Sequence, residues 1–202
     1  RSAAQILCFA AYRPLHQYEW CQNLESLDNL EEVKRRLIDE PLSEKNIARN
    51  IATLREISDS VSLEVREQYE ENPYPRWVKM HVPLKAHPVA KYFEANKLQL
   101  YSVEIETVTT PSILIAGCGT GQHAIETASR YSNCHATAVD LSLSSLAYAQ
   151  RKTNEMGLEN LEYLQADILD LHRLGRKFDI IESVGVLHHM NEPMAGWRVL
   201  VD

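Results

Sequence analysis

Three glycines within five residues form the part of this sequence best suited to chemistry. Residues 113–121 read Ile-Leu-Ile-Ala-Gly-Cys-Gly-Thr-Gly, an apolar strand that runs directly into a turn containing Gly117, Gly119 and Gly121. Glycine lets a backbone approach a ligand where a Cβ atom would collide. The helix expected from Gln122 onward offers unpaired N–H groups in its first turn. The pattern predicts a nucleotide-binding turn.

The spacing of these glycines separates two kinds of nucleotide site. The dinucleotide fingerprint is G-x-G-x-x-G. Here the third glycine comes one residue early, and Gln122 occupies the place where it would stand. The spacing therefore argues against a nicotinamide-dependent oxidoreductase, the least favoured of the functions considered.

Acidic residues follow the next two predicted strands. The strand His135–Val139 ends at Asp140-Leu141, and the strand Leu161–Gln165 is followed by Asp167-Ile168. An acid that closes the second strand of a doubly wound sheet lies where it accepts hydrogen bonds from ribose hydroxyls. Both aspartates also have a structural alternative, a helix cap for the first and a strand-end turn for the second.

Together these motifs resemble the class I S-adenosylmethionine-dependent methyltransferases. The match covers the glycine turn, the acid after the second strand, the run Ala166-Asp167-Ile168, and a fourth strand within Phe178–Met190. The resemblance implies S-adenosylmethionine as the cofactor, with Asp140 on the ribose. It also implies that Asp167 accepts from the adenine amine while Ile168 packs on the ring. Ser183, at the end of the fourth strand, is expected on the methionine side.

One position departs from the family. An acid that usually precedes the first glycine by two residues, and helps to hold the cofactor ammonium, is replaced by Ile115. The ammonium then needs backbone carbonyls near Ala116 and Gly117, or the carboxylate of Glu182. His123 is a candidate contact for the cofactor carboxylate. The predicted cofactor-binding residues are Ala116, Gly117, Cys118, Gly119, Gly121, His123, Asp140, Leu141, Asp167, Ile168, Glu182 and Ser183.

A second block, Glu67–Trp77, resembles a segment found upstream of the glycine motif in bacterial methyltransferases that often follow tetratricopeptide repeats. Residues 1–66 show no period of about 34 residues, so the repeats themselves are absent. The chain starts at Arg1 without a methionine and stops at Asp202, and we expect it to be a fragment. Within the block, four side chains predict either a lid over the cofactor or a helical core: Tyr69, Tyr74, Arg76 and Trp77.

The residues around the predicted methyl-transfer zone do not identify a catalytic group. His188 and His189 follow the fourth strand, where a histidine suits a general base, although a structural role is favoured. No third metal ligand stands at a fixed spacing, so no metal site is predicted. The acidic D-P-P-Y tetrapeptide of nucleic-acid amine methylases is replaced by residues 182–185. DNA is therefore not expected as the substrate, and the acceptor is an unknown small molecule or protein side chain.

Composition supports a cytoplasmic protein that binds neither nucleic acid nor membrane. The 202 residues are 45% hydrophobic and 24% charged, with a net charge of −7. The only basic run is Lys34–Arg36, which argues against a surface that tracks phosphates. The apolar runs are too short to span a membrane, and the four cysteines form no C-x-x-C pair. We also expect no signal peptide.

The N-terminal part is predicted to be helical. Apolar stripes at Leu27, Leu30, Val33 and Leu37 and at Ile47, Ile51, Leu54 and Ile57 each fit one buried helix face. Pro41-Leu42-Ser43 is expected to separate these two helices, with Ser43 as a cap. Further helices are predicted over 62–71 and 88–98, with the prolines of 73–83 excluding helix between them.

From residue 111 onward, strands and helices alternate. This predicts an α/β domain over 109–202 with a doubly wound, Rossmann-like parallel sheet, preceded by a helical segment and lid over 1–108. The family sheet has seven strands, whereas this chain supplies four and a helix near 194–201, so the sheet is expected to be truncated after strand four. An uncovered edge invites pairing, and we expect self-association there. A cofactor-binding or sensing module without transfer activity is the alternative to an enzyme.

Overall fold

The computed structural model describes residues 2–23, 30–98 and 103–202. They divide into two compact units, residues 1–50 and 51–202. The second unit begins at residue 51, and the domain boundary predicted at residues 108–109 stays a prediction. β1 (Ala52–Thr53) is a two-residue strand that joins the sheet of the second unit.

The first unit is built from helices. They are α1 (Ala3–Tyr12), α2 (Glu31–Lys34) and α3 (Glu40–Ala48), with a π-helical stretch over Arg35–Asp39 between the last two. The predicted break at Pro41-Leu42-Ser43 is therefore wrong. A π-helical segment shifts the hydrogen-bond pattern by one residue, so the helix passes a proline that has no N–H to donate.

The first unit has a small core of its own around Ile6, Leu15, Cys21 and Ile38. Leu30 and Val33 of the first predicted stripe pack against this core. Leu37 is 39% exposed, and Leu27 lies outside the described residues. The second predicted stripe, Ile47 to Ile57, is not one helix, because α3 ends at Ala48 and β1 follows.

Two helices precede the sheet of the second unit. α4 (Ser60–Glu71) starts two residues before the predicted point because Asp59 caps it, its carboxylate accepting from the Ser62 N–H at 2.9 Å. α5 (Val89–Ala95) is shorter than predicted at its C-terminal end. As the prolines indicated, the structure has no helix between them.

The second unit contains a five-stranded sheet whose order is β1-β4-β3-β2-β5, with every neighbouring pair parallel. The helices α6 (Gln122–Arg130) and α7 (Leu143–Glu155) connect β2 to β3 and β3 to β4, a 3-10 helix over Ile168–Leu174 connects β4 to β5, and α8 (Pro193–Val201) follows β5. This confirms the predicted α/β fold; the additional strand is β1. The remaining strands are β2 (Ser112–Ala116), β3 (His135–Asp140), β4 (Leu161–Gln165) and β5 (Ile180–Glu182).

Alternate residues of β2 face opposite sides of the sheet, as the period of a strand requires. Ile113 and Ile115 belong to a core that includes residues of α6 and α7. Leu114 and Ala116 belong to a second core that includes Leu200 of α8. Burial on both faces fixes the register of β2, and with it the position of the glycine turn that follows.

The strand β5 forms one edge of the sheet. Its central residue, Ile181, is 39% exposed, and its other side pairs with β2. The predicted pairing of this edge with a second copy stays a prediction. No helix within the described ranges is long and apolar enough to cross a membrane.

Candidate functional site

A cavity of about 500 Å³ opens where β2, β3 and β4 end. Ligands of open α/β sheets bind beyond the carboxyl ends of the strands, so the position is the expected one. Eight of the predicted binding residues lie on its wall: Gly117, Cys118, Gly119, His123, Asp140, Leu141, Asp167 and Ile168. The other four do not line it: Ala116, Gly121, Glu182 and Ser183.

Glycine stands at the three positions of the turn for different structural reasons. All have positive φ, +78° at Gly117, +53° at Gly119 and +81° at Gly121. A Cβ at Gly117 would lie 2.3 Å from Val186 Cγ2, and one at Gly121 would lie 2.5 Å from Ala149 Cβ. These two glycines therefore allow close packing. A Cβ at Gly119 would meet only a carbonyl oxygen at 3.9 Å, so this glycine keeps the cavity itself clear.

Asp140 holds the glycine turn in shape while lining the cavity. One carboxylate oxygen accepts from the Gly119 N–H at 2.8 Å, and the other accepts from the Ser142 N–H at 3.0 Å. Burial raises the pKa of Asp140, and these backbone hydrogen bonds only partly oppose it. Ser142 caps α7 as predicted, accepting from the Ser145 N–H at 3.0 Å. The carboxylate thus combines a structural role with direct access to a ligand.

The loop after β4 adds a second acid to the wall. Asp167 is 5% exposed, and one of its oxygens accepts from the Leu169 N–H at 3.0 Å. Ser145, near the start of α7, also lines the cavity. Its hydroxyl oxygen is buried without a hydrogen-bond partner. A buried polar atom without a partner is costly, and a bound polar ligand would satisfy it.

Cys118 lies on the same wall, in surroundings that do not favour its thiolate form. Burial, with the nearby charge of Asp140, raises the pKa of its thiol well above the usual range. A reactive cysteine needs a thiolate, which requires a lowered pKa. The buried thiol does not suit a nucleophile, and we assign Cys118 no catalytic role.

Glu182 lies behind His123 rather than on the cavity wall. Its Oε2 atom is 2.8 Å from His123 Nε2 and also accepts from the Thr127 hydroxyl, while Oε1 is 3.7 Å from Arg130. Burial alone would raise the pKa of Glu182, but the hydrogen bonds from His123 and Thr127 and the charge of Arg130 bring it below its ordinary value. Glu182 therefore orients His123, and its predicted direct contact with a ligand ammonium finds no support in this geometry.

Ser183 and Ala116 also lie off the wall. Ala116 is fully buried in the sheet core. The Ser183 hydroxyl oxygen is buried without a partner, although the residue is absent from the cavity lining. Of the histidine pair, whose rings lie 4.0 Å apart, His189 lines the cavity and His188 does not.

The four residues predicted to form either a lid over the cofactor or a helical core are divided between these two roles. Tyr69 and Tyr74 line the cavity. Trp77 is 9% exposed and belongs to the main core, while Arg76 lies over the Tyr148 ring at 4.7 Å. Val61, Ser62 and Val65 of α4 also line the cavity, although they were not predicted from the sequence. The spacing of residues 61, 65 and 69, one helical turn apart each, was the available signal.

The described parts of the chain contain no group of three or more metal-ligating side chains. The charged side chains on the cavity wall are carboxylates, Glu126, Asp140 and Asp167, and no lysine or arginine joins them among the described residues. Glu126 is paired with Arg130 at 2.6 Å. The site is therefore suited to neutral or cationic ligands rather than to anions.

Residues 113–199 match the family model for a methyltransferase domain. An uncharacterized protein of Synechococcus is 37% identical over 91 residues, 45% of this chain and 22% of that protein. A (S)-coclaurine N-methyltransferase of Thalictrum flavum is 32% identical over 97 residues, 48% of this chain and 27% of that enzyme. The chain thus spans less than a third of the length of either relative.

A crystal structure of magnesium protoporphyrin IX methyltransferase from Synechocystis with bound SAH is 19% identical, covers 68% of this chain and 65% of that chain, and has a TM-score of 0.49. The segment that matches the methyltransferase family model begins at the first buried residue of β2 and includes Gly117, Asp140 and Asp167. Residues 113–199 are therefore similar in sequence to a methyltransferase domain.

Proposed function

We propose that the protein is an S-adenosylmethionine-dependent methyltransferase that acts on an unknown small molecule or protein side chain. The observation that carries the proposal is the convergence of Gly119, Asp140 and Asp167 on one cavity at the ends of consecutive strands. The cavity volume, about 500 Å³, is within the range of cofactor sites. The partnerless Ser145 hydroxyl and the space beside Gly119 both fit a polar ligand of this kind.

Each end of the cavity has residues suited to one half of the cofactor. In the sheet order, β3 and β4 lie on one side of β2 and β5 on the other. Asp140 and Asp167, which follow β3 and β4, would hold the ribose and the adenine amine. His123, at the start of α6, would hold the carboxylate of the amino-acid half. When bound, S-adenosylmethionine supplies an electrophilic methyl group on a sulfonium centre.

The protein's own contribution to methyl transfer is to position the acceptor. Because the methyl group is already activated, the protein needs to hold an acceptor in line and, where the acceptor carries a proton, to accept it. His189 is the titratable side chain on the cavity wall among the residues that follow β5. We assign it the role of proton acceptor, since an imidazole is suited to this at neutral pH.

An amine is the acceptor that the site favours. The charged groups on the wall are acidic, and a positive or protonatable nitrogen is compatible with them, whereas a phosphate is not. The name of the Thalictrum relative gives a nitrogen as its methylation site. These two observations support a nitrogen acceptor without naming the molecule.

Thermal unfolding in the presence of cofactors tests the proposal. We expect S-adenosylhomocysteine to raise the midpoint of the full chain and NAD to leave it unchanged. Stabilisation by NAD alone would instead support an oxidoreductase. A methyl-transfer assay on the full-length protein then separates an enzyme from a cofactor-binding or sensing module, because only the enzyme converts S-adenosylmethionine to S-adenosylhomocysteine with an acceptor present.

A further inference from the structure

Residues 52–77, here termed the strap, contain β1 and α4 and precede the segment that matches the methyltransferase domain model. Its first attachment is to β4. The Leu54 N–H donates to the Gln165 carbonyl at 2.9 Å, and the Thr53 hydroxyl donates to Gln165 Oε1 at 2.9 Å. Gln165 in turn donates to the Leu141 carbonyl at 2.8 Å. The strap therefore begins beside the loops that carry both cavity aspartates.

The second attachment is at the C-terminal end of α4. Glu70 Oε2 accepts from the Ser142 hydroxyl at 2.9 Å and from the Ser144 N–H at 3.2 Å. Both donors belong to the first turn of α7 and its cap, directly after Asp140 and Leu141. The last turn of α4 is thus fixed to the loop after β3.

The third attachment is to the glycine turn. The Thr120 hydroxyl donates to the Pro75 carbonyl at 2.7 Å, and Trp77 Nε1 donates to the Thr120 carbonyl at 3.1 Å. The Tyr148 hydroxyl also donates to the Trp77 carbonyl. Because Trp77 and Tyr148 are both buried, this attachment is not a surface contact. The strap ends beside the turn that contains Gly119.

Between these attachments α4 presents one face to the cavity. Val61, Val65 and Tyr69 are spaced by four residues, and all three line the wall, together with Ser62. The same cavity is lined by Asp140, Asp167 and Ser145, whose hydroxyl has no partner. Two valines and a tyrosine make this part of the lining largely apolar and aromatic, which suits the face of a planar base.

We propose that the strap forms the second wall of an adenine-nucleoside site, with Val65 and Tyr69 contacting the base. This inference rests on the proposed function. It assigns the nucleoside half of the cofactor to two separate parts of the chain, the sheet loops and a helix 40 or more residues upstream. It also makes cofactor affinity depend on side chains that the methyltransferase segment does not contain.

A matched pair of variants on α4 tests the proposal. Val65→Glu places a carboxylate on the cavity wall, whereas Gln68→Glu places the same group at an exposed position of the same helix. Calorimetry on the full chain would measure affinity for S-adenosylhomocysteine and for methylthioadenosine, which lacks the amino-acid half. A buried unpaired charge beside the base should weaken both ligands about tenfold or more, while Gln68→Glu should stay within about twofold of the parent.

Circular dichroism establishes that each variant is folded, and Tyr69→Ala gives the same test without a new charge. We expect Tyr69→Ala to weaken both ligands by a common factor of about threefold or more. Parental affinity in Val65→Glu and Tyr69→Ala, with the parent binding normally, would overturn the strap proposal and leave the proposed function intact. If the parent itself binds neither ligand, the proposed function fails and the strap proposal fails with it.

Discussion

Substitution of Gly119, the middle glycine of the turn, is the sharpest test of where the ligand binds. The surroundings of Gly119 and Gly121 predict different effects for substitutions at these two positions. In Gly119→Ala the new Cβ would meet only the Tyr74 carbonyl oxygen at 3.9 Å, so the stability cost is the left-handed backbone alone, about 1–2 kcal/mol. In Gly121→Ala the Cβ would also lie 2.5 Å from Ala149 Cβ and 2.9 Å from the Tyr163 hydroxyl. Overpacking of this kind adds about 1–3 kcal/mol.

The two variants should therefore separate stability from binding. Urea unfolding is expected to show the larger loss for Gly121→Ala, while calorimetry with S-adenosylhomocysteine is expected to show affinity reduced tenfold or more, at least about 1.4 kcal/mol, for a folded Gly119→Ala. Gly119→Val should abolish binding, since its larger side chain projects further into the cavity. Affinity within twofold of the parent in a folded Gly119→Val protein would mean that the ligand does not pass beside this turn.

Three further predictions address the acids and the sheet edge. Asp140→Asn should weaken S-adenosylhomocysteine and methylthioadenosine alike, by about 2–3 kcal/mol for two charge-assisted hydrogen bonds; calorimetric values within twofold of the parent would exclude the ribose contact. The pKa of Glu182 is lowered in the fold, so its ionised form stabilises the protein above its unfolded-state pKa, and this contribution disappears as pH falls through the lowered value. Glu182→Gln should thus cost about 1–2 kcal/mol in urea unfolding at pH 7 and progressively less as acid protonates Glu182, whereas a cost that does not change with pH would contradict the pairing with His123. Sedimentation velocity should detect self-association that Ile181→Lys removes, because a charge on an edge strand opposes pairing; a parent that stays monomeric at high concentration would refute this.

Local signals account for the parts of the fold that the sequence predicted. β4 has the predicted bounds, and Ser142 caps α7 as expected. In both, the deciding information lies within a few residues: an apolar run bounded by turn residues, or a serine before a helix. The glycine turn is local in the same way, because positive φ at three positions favours glycine.

The missed features depend on contacts that are distant in sequence. β1 has two residues and no strand pattern of its own, and it forms only because Ala52 and Thr53 pair with residues 164–165 of β4. The partners of Glu182 lie on α6, so its placement behind His123 follows from helix packing rather than from strand position. The π-helical stretch before Pro41 contains Ile38, which is 1% exposed and belongs to the core of the first unit, so its placement also depends on contacts outside the local sequence.

A crystal structure of the chain with S-adenosylhomocysteine would test the central claim most directly. The account predicts the nucleoside between α4 and the loops after β3 and β4. Both ribose hydroxyls should donate to Asp140, and the adenine amine should donate to Asp167. A ligand bound elsewhere, or one in this cavity whose ribose lies beyond hydrogen-bond distance of Asp140, would contradict it.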